Sequence, residues 1–207
     1  MNLFDDTELF TSGKSSVTVF DLPDTDLVLY ENFFDKEESD YYYTTFLNTT
    51  PWKEADWEIY GNTFKVPRMI SWYEDSQNAG ALPQTPELTK DLNVIRKKIE
   101  AESQVSYNSV LLNLYRNGND GVGWHSDRTE NFGENQIIGS VSFGETRPFR
   151  LRHKTRKDLK LEIPLNHGSF LLMAGTTQTF WEHQIPKTAK VILPRINLTF
   201  RRVNRKI

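Results

Sequence analysis

The sequence contains no cysteine. That absence removes disulfide scaffolds, thiolate-held zinc or iron–sulfur sites and thiol nucleophiles together, so any metal must be held by His, Asp or Glu. Long apolar runs are missing too, none approaching the roughly 20 residues that a bilayer span needs. The opening residues MNLFDDTELF are acidic, whereas a secretory leader begins basic and turns apolar. An intracellular chain is therefore expected, cytoplasmic or nuclear, with no membrane partner. Internal repeats, low-complexity tracts and long linkers are also absent, which argues against a second independent domain. What remains is 207 residues, 37% hydrophobic, 26% charged and 13% aromatic, enough for one folded unit with a sizeable core.

The formal net charge of −3 conceals a split. Residues 1–60 hold 14 acids against 3 Lys/Arg, a balance of −11, while residues 61–207 hold 14 acids against 22 Lys/Arg, a balance of +8. Seven cations and one acid fall between Arg147 and Lys160. Such a run can track a phosphate backbone, with Arg152 and Lys154 at its centre. It can equally be the charged guard of a hairpin edge.

Residues 1–16 are polar and acidic and read as a flexible extension, with a single domain over 17–207. A strand is expected near Val17 to Phe20 or Leu27 to Tyr30. Asp35 with Glu38 three residues on forms a capping pair for a helix carrying Tyr42, Tyr43, Phe46 and Leu47, which should end before Pro51. A second amphipathic helix is expected from about Pro86, behind Thr85, through Leu88, Leu92, Ile95 and Ile99. From Val105 the period changes to two. Strands are expected at Ser109 to Tyr115, Ile137 to Phe143, Phe149 to His153, Leu159 to Ile163, Ser169 to Met173 and Arg195 to Val203. Short strands behind two helices predict a mainly β, α+β fold, a helix-backed antiparallel sandwich or barrel.

The last strand separates two kinds of side chain. Arg195, Asn197, Thr199 and Arg201 share one face, and Ile196, Leu198 and Phe200 the other. If the apolar face meets the helices, the polar face looks either to water, as on an edge strand, or into a cavity. In a cavity two guanidinium groups demand an anion. Asn113 and Tyr115 alternate with Val110, Leu112 and Leu114 in the same way, and offer neutral donors to a small polar ligand. His125 and Asp127, two apart, supply two thirds of a facial His/carboxylate metal triad that leaves open coordination positions. Among the remaining histidines, 153, 167 and 183, His183 is the preferred third ligand.

These elements fall in a recognisable order: Asn113-Leu-Tyr115-Arg-Asn-Gly118, His125-Ser-Asp127, Gly168 through Gly175 to Trp181-Glu-His183, and Arg195-Ile-Asn197-Leu-Thr199-Phe-Arg201. The arrangement resembles the AlkB family of Fe(II)- and 2-oxoglutarate-dependent dioxygenases, the oxidative nucleic-acid demethylases, over about residues 110–203. The resemblance implies a double-stranded β-helix (jelly-roll) core backed by N-terminal helices, with a nucleotide-recognition lid at 55–84. It implies Fe(II) held by His125, Asp127 and His183, and 2-oxoglutarate held by Asn113, Tyr115, Arg195 and Arg201, with Asn197 and Thr199 lining the same pocket. Oxygen is the third reactant. The implied activity is removal of N-methyl groups from 1-methyladenine and 3-methylcytosine in DNA, coupled to decarboxylation of 2-oxoglutarate to succinate with release of formaldehyde. A paired base must leave its stack to be reached.

Tyr60 is the expected wedge, Trp72 or Tyr73 the base-stacking group, and Arg68 part of the lid's Pro-Arg segment. The family's repair members commonly carry an acid two residues beyond the metal Asp; here that position is Thr129, and Glu130 is displaced by one. The expected particle is a monomer acting on alkylated DNA. An RNA demethylase of the same family, and a non-catalytic jelly-roll that binds an anion, are the alternatives.

Overall fold

Alternation in the second half of the chain is realised as antiparallel pairing throughout. The computed structural model describes residues 15–59, 62–75, 84–127 and 136–203. The elements in chain order are β1 (Ser16–Phe20), β2 (Asp26–Glu31), α1 (Lys36–Thr49), β3 (Lys53–Ile59), β4 (Asn62–Glu74), α2 (Lys90–Ser103), β5 (Ser109–Tyr115), β6 (Val122–His125), β7 (Ile138–Gly144), β8 (Arg147–His153), β9 (Lys160–Leu165), β10 (Ser169–Ala174), α3 (Thr177–Phe180), β11 (Trp181–Ile185) and β12 (Arg195–Arg201). Among the described residues twelve strands make two sheets, an eight-stranded one in the order β1-β2-β10-β7-β12-β5-β4-β3 and a four-stranded one in the order β6-β11-β8-β9.

Two apolar clusters explain the layering. On the outer face of the large sheet, Val110, Leu112 and Leu114 of β5 and Ile196, Leu198 and Phe200 of β12 bury against Tyr42, Tyr43 and Phe46 of α1 and Leu92, Ile95 and Ile99 of α2. Between the sheets, Leu29, Ile138, Leu171 and Met173 meet Val122, Phe149, Ile163, Trp181 and Ile185 of the small sheet. The central strands β7 and β12 are thus covered on both faces, and every residue of each is buried. Burying a Leu or Phe side chain contributes roughly 1.5–3 kcal/mol, so removing either layer forfeits most of the fold's driving force.

The capping pair of α1 is present: Glu38 N–H donates to Asp35 Oδ1 at 2.8 Å and Asp35 N–H to Glu38 Oε2 at 3.2 Å. The helix stops at Thr49, ahead of Pro51. The start of α2 differs from expectation. Thr89, not Thr85, is its cap, accepting from Leu92 N–H. The Pro86 carbonyl accepts from Glu74 N–H at 3.1 Å beside a short parallel bridge, which holds this stretch extended.

One strand was expected at either of two N-terminal places and strands form at both; Ser16, assigned to the extension, begins the first, and residues 1–14 lie outside the described residues. Strands β3, β4, β6 and β11 were not expected. Pro67 interrupts the pattern of β4, where register shifts against β3 between Glu54 and Asp56. The Pro67 carbonyl accepts from Gly121 N–H at 2.9 Å, tying this irregularity to the loop before β6. No helix among the described residues is long and apolar enough to cross a membrane.

Gly144, which ends β7, has φ of 90°, and a Cβ there would meet Pro194 O at 2.5 Å and Tyr43 Cε2 at 2.6 Å. Gly144→Ala is therefore expected to cost about 2 kcal/mol or more in denaturant unfolding. A loss below about 0.5 kcal/mol, within the range of an ordinary surface change, would contradict that close approach.

Candidate functional site

The four histidines sort by what their ring nitrogens already do. His153 Nδ1 accepts from Arg156 N–H at 3.0 Å and its Nε2 faces Asp24 at 3.3 Å. His167 Nδ1 accepts from Gly144 N–H at 2.8 Å and its Nε2 faces Asp40 at 3.1 Å. Both rings are used up as structural pins, and burial holds His167 below its ordinary pKa.

His125 and His183 are different. They stand directly opposite each other in the β6–β11 ladder, with ring centroids 4.4 Å apart. Facing pairs on adjacent strands bring Cβ atoms within about 5.5 Å, so pairing alone converges these rings from positions far apart in sequence. His125 Nδ1 lies 2.9 Å from the Gly123 carbonyl, which fixes the proton there and leaves Nε2 with its lone pair. Burial, then the neighbouring His125, push His183 down to about 3, so its imidazole is neutral near pH 7.

Asp127 follows β6 and is steered from outside its own strand. Its N–H donates to Gln178 Oε1 at 2.9 Å, and Ser126 Oγ donates to the Trp181 carbonyl at 2.7 Å. Arg201 Nη2 donates to Asp127 Oδ1 at 2.7 Å. Burial alone would raise the Asp127 carboxyl, but Arg201, His183 and His125 outweigh it and hold the group below its usual range. Ligand atoms of His125, Asp127 and His183 lie within 4.8 Å of one another, a set able to hold one metal ion.

These residues sit on a cavity of about 630 Å³ between the sheets, in the size range of small-molecule sites. Arg195, Asn197, Thr199 and Arg201 of β12 and Asn113 and Tyr115 of β5 all line it, so the polar face of each strand points inward as the cavity reading required. Their network is ordered: Arg68 Nε donates to Asn113 Oδ1 at 2.7 Å, Asn197 Nδ2 to Ser140 Oγ at 2.8 Å, and Thr199 Oγ1 to Asn197 Oδ1 at 2.9 Å.

Arg195 is 1% exposed; its Nη2 donates to Ser142 Oγ at 2.9 Å, and its side chain also interacts with that of Tyr115. Its Nε and Nη1 are buried with no hydrogen-bond partner. The guanidinium lies 5.2 Å from the Tyr115 ring, and burial lowers its pKa to about 10 without neutralising it. A buried cation with two unused donors calls for an anion in the cavity, and the fork geometry suits a carboxylate.

The remaining expected residues divide. Trp72 and Arg68 line the cavity. Tyr73 does not: it is 5% exposed within the helix-side core, because alternation on β4 turns it away from Arg68 and Trp72. That corrects its reading as a stacking group. Tyr60, Thr129 and Glu130 lie outside the described residues. Arg152 packs its guanidinium 4.1 Å from the Trp124 ring and pairs with Glu182, while Lys154 Nζ donates to the Gln178 and Thr179 carbonyls. Arg150 pairs with Glu162, and Arg147 is 1% exposed with its Nη2 on the Asp120 and Pro186 carbonyls. The basic run is thus largely engaged within the protein, as a guarded hairpin edge would be.

Sequence reading missed Ser140 and Ser142, though their alternation with Val141 and Phe143 carried the signal. It also missed Gln178, for which no local pattern exists.

The model of the 2OG-Fe(II) oxygenase superfamily matches residues 26–201. The human alpha-ketoglutarate-dependent dioxygenase alkB homolog 3 is 36% identical over 192 residues, 84% of this chain and 65% of that protein. The chain belongs to the AlkB family of 2OG-Fe(II) oxygenases. The human DNA oxidative demethylase ALKBH2 is 34% identical over 157 residues, 70% of this chain and 60% of that protein. Among solved structures, that of OsALKBH1 superposes with a TM-score of 0.66 at 16% identity, covering 90% of this chain and 100% of that one, which supports the jelly-roll fold. The chain spans 65% of the length of the alkB homolog 3 proteins from human and cattle. Membership in this AlkB family implies Fe(II), 2-oxoglutarate and oxygen, and the donor set and the half-used Arg195 fit a metal beside a dicarboxylate.

Arg195→Met is expected to leave ligand-free stability unchanged or raise it, since an uncompensated buried charge disappears. It should also abolish the rise in melting temperature that 2-oxoglutarate gives the unaltered protein. A retained ligand-induced rise in Arg195→Met would contradict the assignment of this guanidinium to the anion.

Proposed function

We propose that this chain is an Fe(II)- and 2-oxoglutarate-dependent dioxygenase that removes N-methyl groups from bases in DNA, of the 1-methyladenine and 3-methylcytosine type, and so repairs alkylation by direct reversal. The observation that carries the reading is the meeting, in one cavity, of a His125–Asp127–His183 ligand set with the partly unpartnered Arg195 guanidinium. The names of the human relatives, one a dioxygenase and one a DNA oxidative demethylase, favour DNA as the substrate.

In this reading His125, Asp127 and His183 hold the metal, and Arg195, Asn113 and Tyr115 hold 2-oxoglutarate. When bound, ferrous iron with 2-oxoglutarate and oxygen supplies an oxidation that hydroxylates the N-methyl carbon, which then leaves as formaldehyde while 2-oxoglutarate becomes succinate and carbon dioxide. The protein supplies position.

Arg201 keeps the Asp127 carboxylate ionised and aimed, and Gln178 fixes the backbone that carries it. The His125 Nδ1–Gly123 contact presents Nε2 to the metal. Asn197 and Thr199 brace the polar wall by bonding each other and Ser140, so that little reorganisation accompanies binding. Apolar Leu111, Phe149, Met173 and Ile185 close the remaining lining and limit water near the reacting atoms. Trp72, half-exposed on the lining, offers a face on which an extruded base can stack.

Anaerobic addition of Fe(II) and 2-oxoglutarate is expected to give a weak visible charge-transfer band that is lost in His125→Ala. With air admitted, methylated single-stranded and duplex DNA should release formaldehyde. A protein that gives neither band nor succinate is a binding module for an anion. Turnover of methylated RNA with none of DNA would transfer the proposal to the other nucleic acid.

A further inference from the structure

We infer that Arg147, which does not line the cavity, strengthens the preference for a dicarboxylate cosubstrate by placing a second buried positive charge behind Tyr115. The inference rests on the placement of 2-oxoglutarate on Arg195 and adds a specificity-determining residue to it. Arg147 and Arg195 are each 1% exposed. Their guanidinium carbons lie 5.7 and 5.2 Å from the centre of the Tyr115 ring, so one aromatic side chain serves both cations.

Neither guanidinium has a carboxylate in direct contact among the described residues. Arg147 Nη2 donates to the Asp120 and Pro186 carbonyls at 3.0 and 2.6 Å, and Nη1 to the Asn117 carbonyl at 3.4 Å. Its Nε is buried with no hydrogen-bond partner. The Asp120 carboxylate is taken by Arg116, which gives it Nε at 2.8 Å and Nη2 at 3.0 Å. Tyr115, Asp120 and Glu145 attract Arg147 at longer range, yet burial outweighs them and lowers its pKa. Arg147 in turn disfavours the charge on Arg195.

Holding the loops together does not require this charge. Thr188 N–H donates to the Gly118 carbonyl at 2.8 Å, and a Cβ on Gly121 would lie 2.7 Å from the Ile185 carbonyl oxygen, so the segments before β6 and after β11 already meet backbone to backbone. A neutral donor would serve the same three carbonyls without the cost of burying a cation. The charge has a use once an anion sits on Arg195. Arg201 is committed to Asp127, which leaves Arg195 for the second carboxylate of 2-oxoglutarate. That carboxylate gains attraction from Arg147 through a region that water does not screen, and it offsets the repulsion between the two cations. A 2-oxo acid with no second carboxylate gains neither.

The test compares 2-oxoglutarate with 2-oxopentanoate, the same carbon chain without the second carboxylate. Dissociation constants are measured by calorimetry on the full chain loaded with Zn(II), so that no turnover enters the readout. Arg147→Gln removes the charge and keeps an amide donor for the carbonyls. It is expected to weaken 2-oxoglutarate about tenfold and 2-oxopentanoate by less than about twofold, while Arg147→Lys stays within about threefold of the unaltered chain for both acids. Equal weakening of the two acids in Arg147→Gln, the mark of a structural pin, overturns the inference, as does no weakening of 2-oxoglutarate. Should Arg147→Gln not fold, the Arg147 Nε–H resonance of the unaltered chain decides: it is expected to move with 2-oxoglutarate and stay with 2-oxopentanoate, and any other pattern overturns the inference. Failure of the unaltered chain to bind 2-oxoglutarate overturns its placement on Arg195 and the inference with it.

Discussion

The architecture depends on one cross-strand pair. His125 and His183 are 58 positions apart in the chain, and the ladder between β6 and β11 makes them neighbours. A slip of one residue in that ladder would turn His183 from the cavity to the outer surface, because side chains alternate with period two. Several contacts guard the register. Ser126 bonds the Trp181 carbonyl, Gln178 bonds the Asp127 backbone, and Trp181, buried in the inter-sheet core, donates from Nε1 to the Pro23 carbonyl at 3.0 Å. The short helix α3 therefore matters because it places Gln178 and starts β11 at the correct phase.

The same economy governs β12. One face drives folding by burying Ile196, Leu198 and Phe200 under the helices, and the other presents Arg195 and Arg201 to the cavity. Two guanidinium groups in a buried strand are costly unless compensated. Arg201 is compensated by Asp127, while Arg195 keeps two donors unused. Stability and ligand demand are thus opposed at Arg195, as is common where a site stores cost for function.

Much of this was legible in the sequence, for reasons that differ by element. The strands β5 and β12 alternate cleanly, so their two faces followed from period, whereas the end of β12 at Arg201 rather than Val203 and the choice of a cavity over water for its polar face did not. The α1 cap was readable because Asp35 and Glu38 bond each other locally. The start of α2 was not, since the Pro86 segment is held by Glu74 from another strand. Strand β11 alternates as Trp181, His183, Ile185 against Glu182, Gln184, but a buried histidine counts as polar and breaks the apparent pattern. Tyr73 was misjudged because an aromatic in a lid and an aromatic in a core look alike until the phase of β4 is known. The basic run from Arg147 to Lys160 was ambiguous for a similar reason: composition records the cations and omits the acids and carbonyls that the fold brings to them.

The central claim is that His125 and His183, and not the other two histidines, share one metal ion with Asp127. Ring 15N resonances of all four histidines, followed while one equivalent of Zn(II) is added as a diamagnetic stand-in for iron, test it directly. The account predicts large shifts at His125 and His183 with His153 and His167 unmoved, their nitrogens being already bonded. Movement of only one of the first pair, or of His153 or His167 in their place, would contradict it.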